Sequence, residues 1–139
     1  MNSQTINSQS PFQQRFTYWA TERFPFFNII VAFVMAFSIK GLFTEGRFNW
    51  QINDIFLGIL FLTMLFVLRV MDEHKDYESD KTFHPERAVQ KGLITLSELR
   101  KCGYFALALQ LFSLFLLSHA SKTLYALWLF VLVWSLLML

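Results

Sequence analysis

Apolar residues in this chain are gathered into blocks. Four runs stand out, Phe26 to Phe43, Ile52 to Met71, Gly103 to Ser118 and Leu124 to Leu139, with polar stretches between them. In Ile55-Phe56-Leu57-Gly58-Ile59-Leu60-Phe61-Leu62 no polar side recurs at helical spacing, and Leu124 to Val133 is apolar all round. A helix of a soluble four-helix bundle keeps a polar face, so these runs argue against that architecture and for helices surrounded by hydrocarbon. Crossing a bilayer core of about 30 Å takes roughly 20 helical residues, with about 17 to 25 the usual range. The first two runs meet that length and the last two fall slightly short. The pattern predicts an all-α, polytopic membrane protein with four transmembrane helices.

The polar punctuation places the ends of these helices. Pro25 suits the first turn of the first span, with Thr17 or Thr21 as its cap. Just upstream, Phe16, Tyr18, Trp19 and Phe24 predict an interfacial belt or a short amphipathic helix on the membrane, with Arg15, Glu22 and Arg23 on its wet side. Met1 to Ser10 is rich in Ser, Asn and Gln and reads as a disordered tail. Residues 1–24 are therefore a tail with an interfacial segment, and residues 25–139 a transmembrane region. The connection Thr44 to Gln51 contains Gly46 and Asn49 and is short, which favours antiparallel neighbours.

The long connection, residues 69–101, is the polar centre of the chain. Arg69 to Ser79 contains neither Gly nor Pro, so the second helix is expected to continue beyond the membrane. His84-Pro85 breaks it, because the proline ring biases the preceding residue away from helix, and Gly92 marks a second turn. Thr95 or Ser97 caps the next helix, and Thr95 with Glu98 has the spacing of a capping box. The last run ends in Leu-Met-Leu without a polar exit. Its sixteen residues reach about 24 Å at 1.5 Å per residue, as if a longer protein were interrupted there.

Composition adds weight to the membrane reading, since 55% of the 139 residues are hydrophobic and 17 are Phe. A net charge of +2 says little, but the placement of the cations says more. Arg15, Arg23, Arg69, Lys75, Lys81, Arg87, Lys91, Arg100 and Lys101 lie in the tail or the long loop, against Lys40, Arg47 and Lys122 elsewhere. By the positive-inside rule, nine cations against three put the N-terminus and the long loop in the cytoplasm, at the cell membrane in a prokaryote. The partners expected from this distribution are the lipid bilayer and its ligands, not nucleic acid. No cleavable secretory signal is evident, and one cysteine, Cys102, excludes intrachain disulfides.

The chemistry resides in the long loop. Asp72, Asp76 and Asp80 recur every fourth residue, and Asp72 to Asp80 holds five of the ten acidic residues. On a helix, four-residue steps keep three carboxylates near one face, each displaced by about 6 Å along the axis. Such oxygen ligands suit Mg²⁺, which binds through a few carboxylates together with waters and substrate phosphates. Cations beside the cluster, Lys81, Arg87 and Lys91, provide charge for those phosphates.

With these residues in place, the chain resembles the N-terminal portion of the UbiA family of membrane prenyltransferases. That family has Asn or Asp, then Asp four and eight residues later, after its second transmembrane helix, followed by Pro-x-Arg-Pro and a Gly. Here Asp72, Asp76 and Asp80 are followed by Pro85-Glu86-Arg87 and by Gly92-Leu93-Ile94 in the same order. Ala88 stands where the second Pro is usual, and Asp72 where Asn is common. The resemblance implies the first four helices of a nine-helix bundle and Mg²⁺-dependent transfer of an isoprenyl group from its diphosphate to a hydrophobic or aromatic acceptor. It implies that Asp72, Asp76 and Asp80 are ligands of Mg²⁺ and that Arg87, with Lys81 or Lys91, faces the diphosphate. A greasy cavity by the Phe-rich second span would hold the prenyl chain. The family's second aspartate motif has no counterpart, since no acidic residue follows Glu98. The chain is thus expected to be inactive alone, as a truncated or split enzyme whose missing helices a second polypeptide would supply.

Other readings weigh less. A non-catalytic membrane subunit with an acidic, cation- or partner-binding loop is the alternative function. Phosphotransferases of the CDP-alcohol type also space aspartates in membranes, but their motif begins Asp-Gly, whereas here Glu73 follows Asp72 and Tyr77 follows Asp76. His74, His84 and His119 read as surface histidines and Cys102 as interfacial filler. Asp54 reads as an interfacial or capping residue, Lys40 as a snorkelling side chain, and Gln110 as an interhelical hydrogen-bonding group.

Overall fold

A computed structural model describes residues 6–43, 49–117 and 122–137. The expectations for Gly46, Arg47, His119, the first five residues and the last two lie outside the described residues. Six helices follow one another: α1 Phe12–Arg23, α2 Phe27–Phe43, α3 Asn53–Lys75, α4 Tyr77–Phe83, α5 Leu96–Leu116 and α6 Lys122–Leu137. No strand occurs among the described residues. The four apolar runs become α2, α3, α5 and α6, as their length and uniform hydrophobicity require.

Two of these helices, α3 with 23 residues and α5 with 21, are long and apolar enough to cross a membrane. A third crossing exists if α1 and α2, bent by 63° where they meet, count as one span. By this measure the described helices give two or three crossings, fewer than the four that the runs predict. The reason lies in length. Unassisted, α2 and α6 provide 17 and 16 residues, at the lower edge of what the hydrocarbon demands. In contrast, α5 exceeds its apolar run because its capped first turn starts at Leu96, in the polar loop.

Side-chain contacts fix the directions of the helices. At one end of the α2–α3 pair, Lys40 Nζ donates to both carboxylate oxygens of Asp54, at 2.8 and 2.6 Å, and the Gln51 amide donates to the same carboxylate at 2.8 Å. At the other end, Arg23 just before α2 meets Glu73 late in α3. The two helices are therefore antiparallel, and Asp54 pairs with Lys40 while accepting from the backbone just ahead of α3. Leu60 with Leu114, and Val70 with Leu99, share core clusters, so α5 runs back along α3. Gln110 accepts a 2.7 Å hydrogen bond from Trp128 Nε1, and Tyr125 donates to the Leu114 carbonyl at 2.8 Å. Thus α6 runs back along α5, and Gln110 has the interhelical role expected of it.

Close helix approach is built with small residues. Ala32 and Ala36 on α2 are almost wholly buried against Phe61, and Gly58 of α3 leaves room for the Phe33 ring, which any Cβ at that position would strike. Small side chains let helix backbones approach in the absence of a hydrophobic driving force between them.

The polar end of the molecule carries its own apolar core. Trp19, Val70, Ala88, Val89, Leu93, Ile94 and Leu99 form one buried cluster, so α1, the end of α3, the long loop and the start of α5 are packed together. Trp19 is fully buried, with Phe66 edge-on to it at a centroid distance of 5.9 Å. The cations that the sequence puts on the wet side of α1 have protein partners. Arg15 donates to both oxygens of Glu98, at 3.1 and 2.8 Å, and to the Leu93 carbonyl at 2.9 Å; Arg23 is likewise turned inward. Bidentate pairing of an arginine with a carboxylate adds geometric specificity to the strength of a charge-assisted hydrogen bond.

Candidate functional site at the charged loop

Backbone hydrogen bonds carry the four-residue spacing of the aspartates through the loop. The Asp76 amide donates to the Asp72 carbonyl, Asp80 to Asp76, and His84 to Asp80, each at 2.8 Å. The ladder is nonetheless bent. Asp76 stands between α3 and α4 with φ −89° and ψ 2°, the bridge region of backbone space, where a helix changes direction. The helix that the sequence predicts beyond the membrane is present, but in two pieces hinged at the middle aspartate. It stops at Phe83, ahead of Pro85 as anticipated.

The three carboxylates consequently meet different surroundings. Asp72 is exposed, its oxygen 3.6 Å from Arg69. Asp76 is half-buried and makes no ion pair among the described residues. Asp80 is buried at 5% exposure, 3.6 Å from Arg23 and in contact with Arg87. Between them in sequence, Glu73 is more deeply buried still, at 2%, accepting from Arg23 Nε at 2.5 Å and Arg69 at 3.0 Å. Three arginines, Arg23, Arg69 and Arg87, thus face Asp72, Glu73 and Asp80. Ionised side chains can stay at such depth because each has a partner of opposite sign.

The loop after α4 is folded by its own backbone and by Gly92. The Arg87 amide donates to His84, Lys91 to Arg87, Gly92 to Val89 and Leu93 to Ala88. Gly92 has φ 69°, which disfavours side chains bearing a Cβ. This turn buries Ala88 and Val89 and directs Arg87 back to Asp80, while the Ala88 amide donates to Glu22 of α1 at 3.3 Å. The chain resumes as α5 with Thr95 Oγ1 accepting from the Glu98 amide at 3.2 Å and Glu98 accepting from the Thr95 amide at 2.9 Å, the predicted capping box. Glu86 is exposed; its own backbone amide, and then His84, hold its carboxyl below the usual range.

Of the predicted site residues, the structure brings Asp80 and Arg87 together. It leaves Asp72, Lys81 and Lys91 exposed and Asp76 partly so. Among the described residues no group of three or more His, Cys, Asp or Glu side chains is gathered closely enough to hold a metal ion. Two carboxylates, Asp72 and Asp76, remain outside the buried part of the network, a number that Mg²⁺ accepts when water and phosphate complete its shell. Sequence reasoning passed over Glu73 and Arg23. A local signal for Glu73 existed, its position four residues after Arg69; nothing local announces a partner fifty residues away.

Two apolar cavities flank the α3–α5 pair. One, of about 350 Å³, has His74 and Arg100 among its lining and runs past Val67, Tyr104 and Leu107 to Leu132 of α6. His74 Nδ1 is held by the Val70 carbonyl at 2.8 Å. The other, of about 690 Å³, lies between α1, α3 and α5. Comparison with protein-family models, with curated proteins and with solved structures finds no match to this chain.

Proposed function

We propose that this chain is a prenyltransferase-like membrane protein, corresponding to the first portion of such an enzyme, that holds an isoprenyl diphosphate at the charged loop. The pairing of Asp80 with Arg87 carries this reading. The resemblance requires the aspartate spacing and the downstream Pro-x-Arg segment to belong to one site, and they converge although a helix end and a proline separate them. Asp72 and Asp76, at the hinge between α3 and α4, are the carboxylates left to ligate Mg²⁺. When bound, that ion would offset the charge of the diphosphate and favour its departure from the allylic carbon. Lys81 and Lys91, both exposed, add cationic charge in the same stretch of the chain. Asp80 holds Arg87 in place, and the cavity that begins near His74 and Arg100 gives a hydrocarbon chain an apolar wall. The four-span topology with a cytoplasmic loop belongs to this proposal, as does completion by further helices.

The test is Mg²⁺-dependent binding of a non-hydrolysable farnesyl diphosphate analogue to the full chain in detergent, for wild type and Asp76→Asn. Loss of a charged ligand predicts about tenfold weaker binding or more, equivalent to about 1.4 kcal/mol. Equal binding by the two proteins refutes the assignment. A second reading, a non-catalytic membrane subunit, is favoured by one observation: Glu73 and Asp80 are already matched by arginines and act as structural groups. That reading predicts Mg²⁺ binding without binding of the diphosphate analogue, so the same experiment separates the two.

A further inference from the structure

The larger cavity, on the α1 side of the molecule, has features of a lipid site. Its walls are Phe12, Phe16 and Phe24 from the α1 segment, Leu62 and Phe66 from α3, and Phe105 and Leu109 from α5. Thr63 also lines it, but its hydroxyl donates to the Ile59 carbonyl of its own helix at 2.7 Å. The wall therefore presents hydrocarbon and almost nothing that would recognise a polar group. All the charge lies at one end, where Glu98 and Lys101 line the cavity. Glu98 is neutralised by Arg15, whereas Lys101 is exposed and makes no ion pair among the described residues. The rim thus carries one uncompensated positive charge.

Length narrows the ligand class. From Glu98 to Leu109 the lining of α5 advances eleven residues, about 16 Å of helix at 1.5 Å per residue. That is roughly half of a hydrocarbon core of about 30 Å, the depth of a single leaflet. Both walls on α3 and α5 belong to helices able to cross a membrane, so bilayer lipid is the medium that meets the opening. We infer that this groove binds an anionic phospholipid of the leaflet on the charged-loop side, with one acyl chain along the Phe-rich wall and the headgroup phosphate at Lys101. Docked α1 forms the third wall, so lipid and N-terminal helix are held at one place.

Cys102 lines the same cavity and is the only cysteine of the chain, which makes the native protein its own reporter. The experiment follows the rate of Cys102 alkylation by N-ethylmaleimide in mild detergent, as phosphatidylglycerol or phosphatidylcholine of matched chains is titrated in. Protection by phosphatidylglycerol is expected at about fivefold lower concentration, the factor that one cation beside an anionic lipid contributes. Lys101→Gln should abolish this preference while leaving phosphatidylcholine protection unchanged, and Leu109→Trp, which fills the groove, should remove protection by both lipids. Alkylation of the wild-type protein at a rate independent of lipid overturns the site. Equal protection by the two lipids overturns the headgroup assignment. Better protection by farnesyl diphosphate or by oleate than by phosphatidylglycerol overturns the phospholipid and gives the groove to that ligand.

Discussion

Glu73 and Asp72 are neighbours with opposite duties. Glu73 lies at 2% exposure between Arg23 and Arg69, whereas Asp72 is open to solvent. Removing the charge of Glu73 leaves two inward-turned guanidinium groups without their shared partner, and breaking a buried pair from one side costs about 3 to 5 kcal/mol. Glu73→Gln is therefore expected to lower the unfolding midpoint of the detergent-solubilised protein sharply. Asp72→Asn, by contrast, should change stability by no more than about 0.5 kcal/mol, as for other surface substitutions. Similar denaturation curves for the two variants would show that the buried network is not what holds α1 against α3. The same contrast says how a site should be read in an acidic segment. Periodicity identified the three aspartates but could not tell which carboxylates are consumed by folding, because burial also depends on Arg23, contributed by α1, and on Arg87, which the loop turns back to Asp80.

At the scale of elements, α5 was the most legible part of the chain and α1 the least. The Thr95–Glu98 box, the Pro85 break and the Gly92 turn are short-range devices, each determined by residues within three or four positions of one another, so they can be recognised before folding. Thr95→Ala removes the side-chain acceptor of the capping box and should cost about 1 kcal/mol; thermal melts followed by circular dichroism would measure it, with an unchanged midpoint as the contrary result. The hinge at Asp76 was not legible, since a bend within a continuous hydrogen-bond ladder has no composition of its own. In α1, aromatic and basic residues spell a membrane-surface helix by local rules, and the partners that Trp19 and Arg15 find in the loop and in α5 were not foreseen. These partners, a bidentate carboxylate for the arginine and a buried apolar cluster for the tryptophan, lie too far along the chain for local rules to reveal them.

For the whole molecule, the polar end is a packed cap built from α1, α4, the loop and the first turn of α5, standing on antiparallel apolar helices. Trp19 is the centre of that cap. Trp19→Ala should cost about 3 to 5 kcal/mol locally and release α1, which limited trypsin digestion would detect as faster cleavage after Arg15 and Arg23. Unaltered cleavage would mean that the ion pairs alone suffice. The order in which the chain is made sets a timetable for this cap. Arg23 waits fifty residues for Glu73, and Arg15 waits eighty-three for Glu98. On a ribosome adding about 5 to 20 residues per second, α1 is made before every other helix described and is fully held in place only several seconds later. Nascent chains stalled before Glu73 would therefore display a loose N-terminal helix, and its two arginines would be free during that interval to meet anionic headgroups or a chaperone before they meet their own protein.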